Sequence, residues 1–145
     1  MGRIHEAVTI RASAADVWKV VHLDLDDMPR WAGYVHYAEY LDGWPPGAGS
    51  RLRYQLALPA GAPSLVLQQT LWEPPSRCQG LFVGGPVRGS WSYSYAEQDG
   101  GTELTYDADY ELTGVLKVAG GMLKGRYEQG IRDALRSLKA YIEGR

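Results

Sequence analysis

The sequence predicts an α+β domain in which a seven-stranded, curved antiparallel sheet, two short helices and one long C-terminal helix enclose a cavity. Three observations carry the prediction. Apolar residues recur at Leu116, Gly120, Leu123, Tyr127, Ile131, Ala134, Leu138 and Ile142, in steps of three and four that form one stripe of a long amphipathic helix. Between about residues 34 and 112, short runs with period-2 alternation are separated by Gly, Pro and Asp breakers, the pattern of a meander. Ahead of them lie a β-branched strand and two short helical patterns, which support a sheet but cannot form a core alone.

Residues 3–11 are β-branched and short, and predict the first strand. Ser13 and Asp16 have capping-box spacing, and Val17, Val20 and Val21 extend that start into a helix over 14–22. Asp26, Asp27 and Pro29 open a second short helix that carries Trp31, with proline in its first turn. Strands follow at 34–41, 51–58, 64–73 and 77–83. In the second of these Arg51, Arg53 and Gln55 alternate with Leu52, Tyr54, Leu56 and Leu58. Gly84-Gly85-Pro86-Val87-Arg88-Gly89 reads as a loop. Ser90, Ser92 and Ser94 then alternate with Trp91, Tyr93 and Tyr95, and Gln98-Asp99-Gly100-Gly101 turns the chain back. The last strand puts Leu104, Tyr106, Ala108, Tyr110 and Leu112 on one face and Thr105, Asp107, Asp109 and Glu111 on the other. The helix covers 116–143, with Glu128 and Arg132 as an i,i+4 pair. Short connections make the sheet antiparallel, and its twist curls it around that helix.

The 145 residues fit a single domain, 1–145, with one sizeable core. A net charge of −2 without a basic block gives nothing to attract nucleic acid or an anionic membrane. No apolar run is long enough for a bilayer span, and the N-terminus lacks the apolar core of a secretory signal, so a cytoplasmic location is expected. Cys78, the lone cysteine, precludes an internal disulfide and reads as a small packing residue.

The aromatic face of the last two strands points to function. Trp91, Tyr93, Tyr95, Tyr106 and Tyr110 share it with almost no small aliphatic residue, whereas a dry core prefers Leu, Ile and Val. Buried tyrosine hydroxyls need partners, so this surface suits a cavity for an apolar ligand that bears polar groups. Four helix glycines, Gly120, Gly121, Gly125 and Gly130, each cost about 1 kcal/mol against alanine and fit a helix that bends, leaves room or moves. The second half of the helix, with Leu138 and Ile142, is the expected anchor, and Val118 and Met122 point away from the stripe.

The histidines offer no metal site: His5, His22 and His36 are scattered and read as surface or rim residues, with Glu39 on the opposite face of the strand from His36. The row Asp107, Asp109 and Glu111 reads as a solvated outer face. Arg51 and Arg53 meet those acids only if their strands are neighbours, and otherwise line the cavity mouth. On the strand 64–73, Leu65, Leu67 and Leu71 oppose Val66, Gln68, Thr70 and Trp72, and the pattern leaves the inward face open.

The order β-α-α, six-strand meander, long helix resembles the START-like or helix-grip superfamily, and several stretches resemble its bacterial polyketide cyclase/dehydrase branch. These are Ile10-Arg11-Ala12-Ser13-Ala14-Ala15-Asp16-Val17-Trp18, Asp27-Met28-Pro29-Arg30-Trp31, Gly47-Ala48-Gly49-Ser50-Arg51, Trp72-Glu73-Pro74-Pro75-Ser76-Arg77 and Gly101-Thr102-Glu103-Leu104-Thr105-Tyr106. The resemblance spans essentially the whole chain and is specific for fold rather than activity. It implies a deep cavity between sheet and helix that binds a hydrophobic or aromatic small molecule. Relatives include aromatase/cyclases that fold and dehydrate poly-β-ketone chains, lipid carriers, and hormone or quinone binders. No invariant catalytic set runs through the family, so the catalytic residues stay unassigned, and neither metal nor cofactor is implied. The expected cavity residues are Trp31, Tyr54, Trp91, Tyr93, Tyr95, Tyr106, Tyr110, Leu116, Gly120, Leu123 and Tyr127, with Tyr93, Tyr106 and Tyr110 as hydroxyl donors. A monomer or homodimer without membrane insertion is expected.

Overall fold

A computed structural model describes residues 2–57, 62–114, 117 and 121–145. Seven antiparallel strands form one sheet in the order β1-β7-β6-β5-β4-β3-β2. β1 (Gly2–Ile10) is followed by α1 (Ala14–Trp18), which runs on through a π turn (Lys19–Leu23) into a short 3-10 helix, α2 (Leu25–Arg30). The meander comprises β2 (Val35–Tyr40), β3 (Arg51–Leu56), β4 (Ser64–Glu73), β5 (Arg77–Gly84), β6 (Val87–Gln98) and β7 (Gly101–Leu112). α3 (Gly121–Glu143) closes the inner side of the curled sheet. Leu58, Leu116, Val118 and Gly120 lie outside the described residues.

Local chemistry sets these boundaries. Ser13 caps α1 by accepting the Asp16 amide at 3.1 Å. A five-residue step, Asp24 N–H to Lys19 C=O at 2.9 Å, makes the π turn. Trp18 and His22, four residues apart, then face the same way, with ring centroids 4.4 Å apart. The expected Gly84–Gly89 loop is shorter than the glycine content implies. Gly85, at φ +97°, and Pro86 suffice to turn β5 into β6, and 87–89 are already paired with β7. Pro86 C=O accepts the Thr113 amide at 2.8 Å, which ties this hairpin to the chain leaving β7.

The open question in β4 is decided by a bulge between Gln69 and Leu71. Before it, Leu65, Leu67 and Gln69 are buried; after it, Trp72 packs on the core. Gly80 has a packing reason as well: a Cβ there would sit 2.3 Å from the ring of Trp91 on β6, so only glycine lets that indole lie flat across the strand.

α3 buries Leu123, Tyr127, Ile131, Ala134, Leu135, Leu138 and Ile142, with Leu138 fully inaccessible. Polar ties surround this apolar stripe. Arg132 donates to Glu6 on β1 at 2.8 Å and to Glu128 at 3.4 Å, while Lys139 donates to Thr9 C=O at 2.7 Å. Glu143 accepts from the Arg11 amide at 2.9 Å and from Lys139 at 2.7 Å, which lowers its carboxyl to about 2. Met122 is exposed as its position off the stripe predicts. No described helix is long and apolar enough to cross a membrane.

The arginines of β3 do not meet the acids of β7, because β4, β5 and β6 lie between. Arg51 instead pairs with Asp42 at 2.8 Å, and Arg53 pairs with Glu39 on β2. On the outer face, Asp107 pairs with His5 and Asp109 with Arg3, across the β1–β7 ladder.

Candidate functional site

Tyr54 of β3, Leu65 and Leu67 of β4, Phe82 of β5, Trp91 and Tyr93 of β6, Tyr106 of β7 and Tyr127 of α3 surround an interior void, completed by Tyr34 just before β2. Antiparallel alternation aims these strand residues at the concave side, and the apolar stripe of α3 brings Tyr127 against them. The rings pack edge-on or tilted: Tyr93 to Tyr106 at 4.9 Å, Trp91 to Tyr93 at 5.9 Å, and Tyr34 to Tyr127 at 6.3 Å. The void measures about 10 Å³, room for about one water molecule.

Its chemistry is that of neutral hydrogen-bond donors. No charged side chain of the described residues borders it. Burial raises the phenols of Tyr54, Tyr93, Tyr106 and Tyr127 well above their ordinary value, so all four keep their protons. None of these hydroxyls bonds the side chain or backbone of another described residue. With Tyr34, five phenols border the one void.

The other expected site residues divide by what their polar atoms do. Trp91 borders the void but its indole N–H donates to Leu81 C=O at 3.2 Å. Tyr110 is buried beside Tyr127, at 5.3 Å between rings, yet its hydroxyl donates to the Glu128 carboxylate. The hydroxyl of Tyr110, expected as a donor to a ligand, thus already has a helix carboxylate as acceptor. Tyr95 is likewise committed, with its hydroxyl 2.6 Å from His22 Nε2. Leu123 is buried on α3, and Trp31 is buried with an indole N–H that has no partner among the described residues. Leu116 and Gly120 lie outside the described residues.

His22 is the residue that sequence reasoning misplaced. It is buried, not at the rim, and sits among Trp18, Trp72, Tyr93 and Tyr95, with centroids 4.4–6.0 Å away. Burial lowers its imidazole to about 3, so it is neutral at physiological pH. A polar cluster continues behind it. The Tyr40 hydroxyl lies 2.6 Å from His22 C=O and 3.1 Å from Gln69 Oε1, and Gln69 Nε2 donates to Gly47 C=O at 2.9 Å. Cys78 Sγ lies 3.9 Å from Gln69 Oε1, and burial pushes its thiol up to about 12, which makes it a poor nucleophile. The available signal was the Trp18–His22 spacing on an otherwise apolar helix face. His36 is exposed, and no described group of His, Cys, Asp and Glu could hold a metal ion.

Grooves also lie outside the void. One, of about 490 Å³, runs between α2 and β2; of its acids, Asp24, Asp27 and Glu39 are paired with Lys19, Arg30 and Arg53, and Asp26 also lines it. Another, of about 370 Å³, runs along α3 beside Trp31, Tyr34 and Ala57. A third, of about 320 Å³, lies over β4 to β7 beside Thr70, Gln79, Asp107 and Asp109.

Comparison with known proteins agrees with this architecture. No curated protein matches the chain. Among solved structures, a protein from Deinococcus radiodurans is 24% identical, with a TM-score of 0.70 over 99% of this chain and 98% of that one. A START superfamily protein from Mycobacterium smegmatis is 16% identical, with a TM-score of 0.74 over 97% and 98%. The Zhui aromatase/cyclase from Streptomyces sp. R1128 is 18% identical, with a TM-score of 0.73 over 98% and 93%. At these identities the likeness is one of fold. A family model described as polyketide cyclase / dehydrase and lipid transport matches residues 1–143. The curled seven-stranded sheet gripping α3 and the match along nearly its whole length show that the chain belongs to the polyketide cyclase/dehydrase and lipid transport family.

Proposed function

We propose that this protein binds a hydrophobic, aromatic or polyketide-like small molecule between the sheet and α3, and acts on it as a cyclase or dehydrase. The observation that carries the reading is the set of phenols, Tyr54, Tyr93, Tyr106 and Tyr127, that border one aromatic-walled void and bond no other described residue. Burial keeps them as neutral donors, matched to carbonyl acceptors on a flat, apolar ligand. The same donors stabilise the alkoxide oxygen that develops on the attacked carbonyl when an enol carbon of the chain bonds to it, the bond-forming step of an aldol-type cyclisation in which the enol proton ends on that oxygen. The aromatic walls hold a flexible poly-β-ketone chain in the folded shape that this step needs.

A second reading, a non-catalytic binder or carrier of a lipid, quinone or aromatic metabolite, is favoured by one observation. His22, which packs on Tyr93 of the void's wall, has its Nε2 engaged by Tyr95, and the arginines of β3 are paired on the outside.

Titration with the neutral, carbonyl-bearing dye Nile red tests the binding reading. Saturable one-to-one binding is expected. Tyr93→Phe and Tyr106→Phe are each expected to weaken it about three- to tenfold, the worth of one hydrogen bond. Unchanged affinity in both variants would remove the phenols from the site. Incubation with a synthetic poly-β-ketone thioester separates the readings: an aromatic product formed faster than in buffer supports catalysis, and release of unchanged compound supports carriage.

A further inference from the structure

The interior void and the groove along α3 share a single side chain. Tyr34 borders both, on its inner side with Tyr54, Tyr93 and Tyr127 and on its outer side with Trp31, Ala57 and Gly130. Its position has three properties. It follows Gly33, where an added Cβ would meet nothing, so the backbone there is not wedged in place. Its ring meets Tyr127 only edge-on, at 6.3 Å. Its Cβ sits in the notch left by Gly130, where a methyl group would come within 3.2 Å. The α3 surface is thus cut away at the one place where Tyr34 crosses it.

The volumes give the two spaces different roles. Ligand sites occupy roughly 300–1,000 Å³; the void, at about 10 Å³, is far below that range, and the groove, at about 370 Å³, reaches its lower end. A ligand seated in the groove reaches the phenols of the void only if Tyr34, which lies between them, moves. Trp31 adds a second, independent observation. Its side chain lines the groove, it is 4% exposed, and its indole N–H is a buried donor with no partner among the described residues. Such orphans are rare in native proteins and call for an explanation.

We infer that the groove is the outer half of the ligand site, that Tyr34 is the side chain that swings aside to join it to the void, and that the Trp31 indole N–H meets an acceptor on the ligand once the halves are joined. This rests on the cavity-binding reading above. The ligand class follows from the lining: an elongated molecule whose apolar rings lie among the tyrosines and whose carbonyl or hydroxyl end reaches Trp31 in a groove that Arg126, Gln129 and Asp133 also line.

Stopped-flow binding of Nile red to the full chain tests the gate. In Tyr34→Ala both the association and the dissociation rate are expected to rise at least tenfold. Tyr34→Phe keeps the ring and is expected to keep wild-type rates. A change in dissociation alone would make Tyr34 a lining residue and overturn the gate, as would unchanged rates in Tyr34→Ala. Tyr34→Leu serves in the same way if the alanine variant is unstable. Solvent exchange of the Trp31 indole proton, followed by NMR without ligand, is expected to be faster in Tyr34→Ala than in Tyr34→Phe; equal rates would count against the gate. On Nile red addition, the indole resonance is expected to shift downfield, and an unmoved resonance in the bound state would remove Trp31 from the site. Failure of the wild-type protein to bind Nile red would defeat the cavity reading itself, whereas binding with unaltered variant rates defeats only the gate.

Discussion

His22 shows how one buried side chain couples this fold to pH. Its imidazole is lowered to about 3 by burial, while the unfolded chain takes up a proton near 6.5. Between those values the unfolded state holds a proton that the folded state does not, so stability is full above pH 6.5 and falls as pH drops toward 3. The slope is about 1.4 kcal/mol per pH unit, which makes roughly 2 kcal/mol by pH 5. Urea unfolding from pH 7.5 to 5 is expected to show this loss in wild type and a flatter profile in His22→Gln, which keeps a polar partner for Tyr95. Parallel profiles would assign the loss to another group. Glu143 does not confuse the window, because its carboxyl is lowered to about 2 and its contribution is lost only below the ordinary carboxylate range.

At the scale of the element, α3 combines a firm end with a glycine-bearing one. Leu135, Leu138 and Ile142 are buried, and Lys139 and Glu143 tie that end to β1 and the turn after it. Toward the other end, Gly121 and Gly125 face open space, so their missing side chains serve no packing purpose. Gly125→Ala is therefore expected to raise stability by about 0.5–1 kcal/mol, seen as an increase in Tm. Gly130→Ala is expected to gain less, because its methyl would press on Tyr34 at 3.2 Å and offset the helix-propensity gain. Equal gains would show that the Gly130 notch is not filled by Tyr34.

The whole molecule sets the charge of what it can hold. The interior has several phenol donors and, among the described residues, no cation facing the void. A buried carboxylate would lose its hydration without gaining an ionic partner. A neutral hydroxyanthraquinone is accordingly expected to displace bound Nile red at concentrations where palmitate at pH 8 does not. Displacement by palmitate at equal or lower concentration would assign its carboxylate to Arg126 of the groove and count against the neutral-donor account.

The sequence by itself determined the elements and their order. The 3.6-residue stripe ending at Ile142, the Ser13 cap, and the alternation of serine with Trp91, Tyr93 and Tyr95 are local signals, and each element formed where its signal stood. The aromatic face was legible for the same reason, since alternation fixes which residues share a side of a strand. What only the tertiary structure decided was pairing. Tyr95 and Tyr110 carry the same alternation as Tyr93 and Tyr106, but one meets His22 and the other Glu128, partners 73 and 18 residues away in the chain. Likewise the Gln69–Leu71 bulge turned Trp72 inward, and the burial of His22 followed from Trp72, Tyr93 and Tyr95 converging on α1 and its π turn. Periodicity records which way a side chain points. What it meets there depends on contacts between distant strands and helices, and those decide which hydroxyls remain available to a ligand.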